Sequence, residues 1–173
     1  MLTSEHIALF VGAVAAVLLQ LLIAPNIPLF GVVPNIIAAY ALAVMVVRPS
    51  SYGCVLPFIL GLAFDFIGAE PIGLMAFALM VVSVGCARVF VHVDNDSRFM
   101  AFALIAVGAL LVELVYGCLL MFFGYGAAFP DALLYRILPC FLYDFACALL
   151  IYPLVARFGR PSGAVRTELT QLR

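Results

Sequence analysis

The sequence contains no lysine, no tryptophan and few charged residues of any kind. Only 10% of its 173 residues are charged, whereas about a quarter are charged in soluble domains. Hydrophobic residues make up 68% of the chain, and the mean hydropathy is +1.28. These values exclude an ordinary soluble domain and predict an integral membrane protein that lies in a lipid bilayer. The basic residues form no stripe, so no nucleic-acid partner is expected.

The sequence also lacks the side-chain combinations that enzymes use. It has no Ser-His pairing, no paired metal ligands and no nucleophile near a base. None of its five cysteines belongs to a Cys-x-x-Cys pair, so we interpret them as small packing residues in apolar segments. They are Cys54, Cys86, Cys118, Cys140 and Cys147. Neither an enzyme nor a cofactor or metal site is therefore expected.

Long apolar runs, separated by proline, glycine or charged residues, dominate the chain. A helix that crosses lipid satisfies its own backbone hydrogen bonds, so each run is interpreted as a transmembrane helix. We predict an all-α integral membrane protein whose domain, residues 1–157, is a six-transmembrane-helix bundle, followed by a short basic tail over 158–173. The predicted segments are 7–24, 32–47, 53–69, 71–91, 99–124 and 132–156.

The arginines predict how the bundle is oriented. Basic residues accumulate in cytoplasmic loops, and seven of the eight arginines lie between the apolar segments, near their ends or in the tail, whereas Arg136 lies inside the sixth segment. Six crossings place all seven in the cytoplasm together with both termini, whereas five crossings would divide them between the two sides. The first segment is not expected to be a cleaved signal, because no basic residue precedes it and no small-x-small site follows it.

Four ionisable residues lie inside apolar segments: Asp65, Glu113, Arg136 and Asp144. A charge at the bilayer centre costs about 2.5–3.5 kcal/mol on insertion scales, so such residues normally face protein or a wet cavity. Each of the three acids has a small residue four positions away, as Asp65 has Gly61, and residues four apart share a helix face. We therefore predict that the acids face neighbouring helices and act as intramembrane polar supports.

Two contacts are open for Asp65. It can pair with Arg136, which lies at the same predicted level of the membrane, or it can bind the N-terminus of the fourth helix. Pro71 suits the first turn of that helix, whose free amides and positive dipole end attract anions.

The first helix carries a row of small residues at spacings of four, Ala8, Gly12 and Ala16. Small residues let helices approach closely in lipid. This small-residue ridge is therefore expected to contact another helix, either within the bundle or in a partner, and a homo-oligomer is possible.

Two stretches, "PNIIAAYALAVMVV" and "GCVLPFILGLAFDFIGAEPIGLMAFAL", resemble the bacterial rod shape-determining protein MreD family. In that family a Pro-Asn pair opens helix two, helix three ends in a Gly-x-x-x-Asp element, and a glycine follows at the start of helix four. The matching residues here are Pro34, Asn35, Gly61, Asp65 and Gly73.

The resemblance implies a multi-pass protein of the bacterial cytoplasmic membrane that acts in cell elongation. It would bind MreC through membrane helices and, with MreB, RodA and a class B penicillin-binding protein, help organise peptidoglycan synthesis and rod shape. No reaction is implied.

The family's fold is also similar to the S components of energy-coupling-factor vitamin transporters, so a vitamin-binding S component is the alternative. A vitamin site needs several polar or aromatic groups that converge on a cavity, and the predicted outer loops offer few. This scarcity favours the scaffold over the S component.

Overall fold

The computed structural model describes residues 4–29, 31–49, 53–68, 71–91, 98–124 and 133–159. Within these ranges the chain is helical, as predicted. The six α-helices are α1 Ser4–Leu22, α2 Ile36–Val47, α3 Val55–Ile67, α4 Leu74–Phe90, α5 Arg98–Phe122 and α6 Leu138–Gly159. A short 3₁₀ turn, Ala24–Asn26, follows α1, and a π-helical turn, Leu133–Ile137, leads into α6. The predicted tail lies outside the described residues from residue 160 onward.

Helix α2 occupies the centre of the bundle and contacts each of the other five helices. Every residue from Ile36 to Val46 is buried. The sequence explains this position, because α2 is apolar on all sides, and a helix without a polar face is stable only where protein or lipid surrounds it. The other helices therefore surround α2, which holds the core of the molecule.

The ends of α1 and α3 meet the starts of α2 and α4 at one end of the bundle, which we call the capped end. Side chains near the ends of α1 and α3 hydrogen-bond to the backbone at the starts of α2 and α4 there. Since α2 and α4 both run away from the capped end, Arg48 and Arg88 at their far ends lie at the opposite end. The structure thus groups these arginines as the charge pattern predicts.

Among the described residues, three helical regions are long and apolar enough to cross a membrane: His6–Asn26, Phe99–Phe122 and Leu133–Arg157. Helices α2, α3 and α4 have 12, 13 and 17 residues, and 12 residues extend only about 18 Å. Helix α2 is shorter than its predicted segment, 32–47, because Asn35 caps it and the preceding residues are not helical.

Candidate functional site

The start of α2 is held by a carboxylate from α6. Asn35, the N-cap residue, accepts a hydrogen bond on its side-chain oxygen from the amide of Ala38 at 2.9 Å. Its own amide donates to Oδ1 of Asp144 at 2.6 Å. The first amides of a helix have no partner within the helix, and here two side chains supply acceptors. Asp144 is only 2% exposed, so the predicted inward orientation of this acid is confirmed.

A glutamine from α1 binds the same turn. Gln20 Oε1 accepts from the amide of Ile36 at 2.7 Å, and its Nε2 donates to the carbonyl of Pro34 at 3.0 Å. The glutamine thus satisfies two further backbone groups around the cap. The start of α2 is therefore fixed to both α1 and α6.

Gln20 is a residue that the sequence analysis missed. It is 4% exposed and is the only strongly polar side chain between His6 and Pro25. A primary amide inside an apolar span needs hydrogen-bond partners just as a carboxylate does. The signal that identifies Gln20 in the sequence is therefore a lone amide inside an apolar run.

The start of α4 is held in the same way by Asp65 at the end of α3. Its Oδ2 accepts from the amides of Gly73 and Ala76 at 2.8 and 3.1 Å, and its Oδ1 accepts from Met75 at 3.2 Å. Negative charge at a helix N-terminus is favoured by the free amides and by the helix dipole. Of the two contacts that the sequence left open for Asp65, the structure shows this one.

Two glycines make this cap possible. A β-carbon on Gly61 would lie 2.5 Å from the Cα of Ala76 and 2.8 Å from the carbonyl oxygen of Met75. Only a residue without a side chain lets α3 and α4 approach this closely. Gly73 has φ +101°, in the left-handed region that other residues rarely adopt, and this turn directs its amide at Asp65.

A cavity of about 640 Å³ opens between the helix ends at the capped end. Asp65, Glu113 and Asp144 line it and are at most 6% exposed, whereas Arg136, on the π-helical turn, is exposed. The polar residues around the cavity come from four helices and from the segments before α2 and α6. They are Gln20, Asn35, Asp65, Glu113, Tyr116, Tyr135, Arg136 and Asp144. Pairing of Asp65 with Arg136 stays a hypothesis.

Glu113 from α5 and Asp144 from α6, two of the predicted supports, both line this cavity and are buried. No three His, Cys, Asp or Glu side chains in the described ranges are placed to hold a metal ion, and all five cysteines are free thiols.

The small-residue ridge of α1 packs within the bundle. A β-carbon on Gly12 would lie 2.7 Å from the hydroxyl oxygen of Tyr40, which donates to the carbonyl of Leu9 at 2.6 Å. Ala16 is 3% exposed. Ala8, Gly12 and Ala16 also form one wall of a shallow apolar groove between α1 and α6, with Tyr40 beneath them. The ridge therefore packs against Tyr40 of α2 inside the bundle. A partner helix could contact only the outer part of the groove.

The family-motif positions Pro34, Asn35, Gly61, Asp65 and Gly73 all meet at the capped end, where they fix the starts of α2 and α4. Searches for similar curated proteins and for similar solved structures found no match. A family model described as rod shape-determining protein MreD matches residues 4–161. Because that match covers nearly the whole chain, this membrane protein belongs to the rod shape-determining protein MreD family.

Proposed function

We propose that the protein is a non-enzymatic scaffold of the bacterial cell-elongation machinery, embedded in the cytoplasmic membrane. It binds MreC directly and, in a larger complex with MreB, RodA and a class B penicillin-binding protein, helps organise peptidoglycan synthesis and rod shape. The family match over residues 4–161 carries this proposal. The capped end supports it, because Asn35, Asp65 and Asp144 each bind backbone amides and thus hold helices in place.

Six crossings with both termini in the cytoplasm are part of the proposal. The position of Arg48 and Arg88 at the end opposite the cap supports this orientation, because basic residues accumulate on the cytoplasmic side. We expect alkaline phosphatase, which is active only outside the cytoplasm, to be active when fused after residue 124 and inactive when fused after residue 159. The reverse pattern would contradict the cytoplasmic position of the C-terminus, and equal activity at both positions would contradict the sixth crossing.

The groove between α1 and α6 is the contact that we propose for a membrane helix of MreC. Its volume is about 180 Å³, enough for one or two protruding side chains, and its wall includes Ala8, Ala15 and Leu19. Within lipid, helices associate through close packing because burial from lipid adds no hydrophobic gain. A groove with small residues along one wall offers that close packing.

Replacing Ala15 by phenylalanine tests this contact. Ala15 is exposed and lines the groove, so the larger side chain fills the groove without entering the Gly12–Tyr40 contact. We expect MreC recovered with the purified protein to fall on the order of tenfold, as for a residue at the centre of an interface. Gly12→Leu is unsuitable for this test, because its side chain would collide with Tyr40 inside the bundle.

The matched control is Val11→Phe, which adds a similar bulk on the same helix. Val11 is 59% exposed and does not line the groove. This variant is expected to recover as much MreC as the wild type. Equal recovery of MreC with Ala15→Phe and Val11→Phe would remove the groove as the binding surface, and no recovery with the wild type would contradict the scaffold itself.

A second candidate function is the vitamin-binding S component, and the cavity is the observation that favours it. The polar groups that line it come from four helices and from the segments before α2 and α6. A vitamin that stays bound through purification, together with no MreC, would support this alternative over the scaffold.

A further inference from the structure

The cavity at the capped end has the dimensions of a small-molecule site. Its volume of about 640 Å³ lies within the range of about 300–1,000 Å³ that ligand pockets usually have. Its lining combines apolar side chains, such as Phe64 and Ile67, with two tyrosines and groups of both charges. Ligand sites typically combine an apolar wall with a few placed polar groups in this way.

The floor of the cavity is acidic. Glu113 and Asp144 both line the cavity and are 6% and 2% exposed. A buried carboxylate is costly unless a cation or hydrogen-bond donors compensate its charge. The Asn35 amide supplies one donor to Asp144. A ligand with an ammonium group would supply a full positive charge and further N–H donors.

The rim of the cavity is basic. Arg136 lies on the π-helical turn, exposed and lining the cavity. It precedes Asp144 by eight residues, which corresponds to about 12 Å along a helix axis. The arginine side chain is long and flexible, so its guanidinium can reach the negative group of a ligand whose ammonium lies at Asp144. Tyr116 and Tyr135 also line the cavity, and tyrosine rings attract cations to their faces.

We infer that this cavity binds a zwitterionic group, with its ammonium at Glu113 and Asp144 and its phosphate or carboxylate at Arg136. Two sources present this chemistry, the ethanolamine phosphate headgroup of a membrane lipid and a free amino phosphate or amino acid in solution. The cavity is not enclosed, so both can reach it. This site is separate from the α1–α6 groove and does not depend on MreC binding.

Native mass spectrometry of the detergent-purified protein tests the inference. Equal amounts of dioleoyl phosphatidylethanolamine and dioleoyl phosphatidylglycerol are added, and soluble phosphoethanolamine is then added as a competitor. The ethanolamine lipid should bind in preference to the glycerol lipid, because only the former has an ammonium group. We expect Glu113→Gln and Arg136→Gln each to weaken this binding on the order of tenfold, since each loses one charge partner.

Arg157→Gln is the control, because it removes an arginine from the end of α6 away from the cavity. It should bind the ethanolamine lipid like the wild type. Arg136 is exposed, so its variant keeps the test valid even if Glu113→Gln does not fold. The same variants should recover normal amounts of MreC, which separates failure of this site from failure of the scaffold.

The outcomes separate the two sources. Displacement of the lipid by phosphoethanolamine, or binding of phosphoethanolamine alone, would assign the site to a soluble zwitterion. Preferential lipid binding that phosphoethanolamine does not displace would assign it to a lipid headgroup. Equal binding of the two lipids with no binding of phosphoethanolamine, or wild-type binding by both cavity variants, would overturn the inference.

Discussion

Replacing Gly61 by leucine should prevent the protein from accumulating as a folded bundle. The first side-chain carbon would lie 2.5 Å from the Cα of Ala76 and 2.8 Å from its amide nitrogen. These are backbone atoms of the first turns of α4, so no rotamer change can make room. Overpacking a core typically costs 1–3 kcal/mol, and we expect about 3 kcal/mol or more here. Moving α4 away would also break the hydrogen bonds from its amides to Asp65.

The control for this variant is Gly85→Leu, which makes the same change in a helix of the same bundle. A β-carbon on Gly85 would meet nothing within 4 Å. The measurement is the temperature at which a fluorescent-protein fusion loses its monodisperse peak in size-exclusion chromatography. Gly85→Leu should retain the wild-type value, and Gly61→Leu should give little folded protein. Equal thermal stability of the two variants would show that α3 and α4 do not touch at Gly61.

The sequence was sufficient to predict the inward orientation of the three acids. Asp65, Glu113 and Asp144 are all buried, as expected from the cost of a carboxylate in lipid and from helical spacing. The glycine four positions before Asp65 also has the role that the spacing predicted, since it is the point where another helix approaches closely. Helical periodicity and the cost of placing a charge in lipid depend only on a residue and its neighbours along the chain. Both can therefore be judged from a single sequence.

Other features depended on parts of the chain that are distant in sequence. The start of helix α2 is fixed by Gln20 and Asp144, which lie 16 and 109 residues from Ile36 and Asn35, whose amides they bind. No local pattern indicates such partners. The cavity was missed for the same reason, since its polar lining comes from helices that are distant in sequence. Apolar periodicity predicts which face of a helix is buried but not which helices meet.

Replacing Asp65 by alanine is the second change for which we expect a large loss of stability. It leaves the amides of Gly73, Met75 and Ala76 without their acceptor. Unpaired buried amides cost about 1–3 kcal/mol each, but water in the adjoining cavity can reach some of them, so the expected loss is roughly 3 kcal/mol. Asp65→Asn should lie between alanine and the wild type, because one side-chain oxygen can still accept from two of the three amides.

Comparison with Arg136→Gln separates the cap from the ion pair that the sequence left open. If the main role of Asp65 is to cap α4, removing the exposed guanidinium should lower stability by less than about 1 kcal/mol, as for most exposed ion pairs. The double variant should then lose about the sum of the two single losses, as for independent sites. Thermal unfolding followed by circular dichroism measures the stability of all three variants, and this method suits a chain without tryptophan.

Equal losses for Asp65→Ala and Arg136→Gln, with no further loss in the double variant, would make the ion pair the principal role of Asp65. Because Gly61 brings α3 against α4 and Gly73 directs an amide at the carboxylate, we expect the cap to dominate.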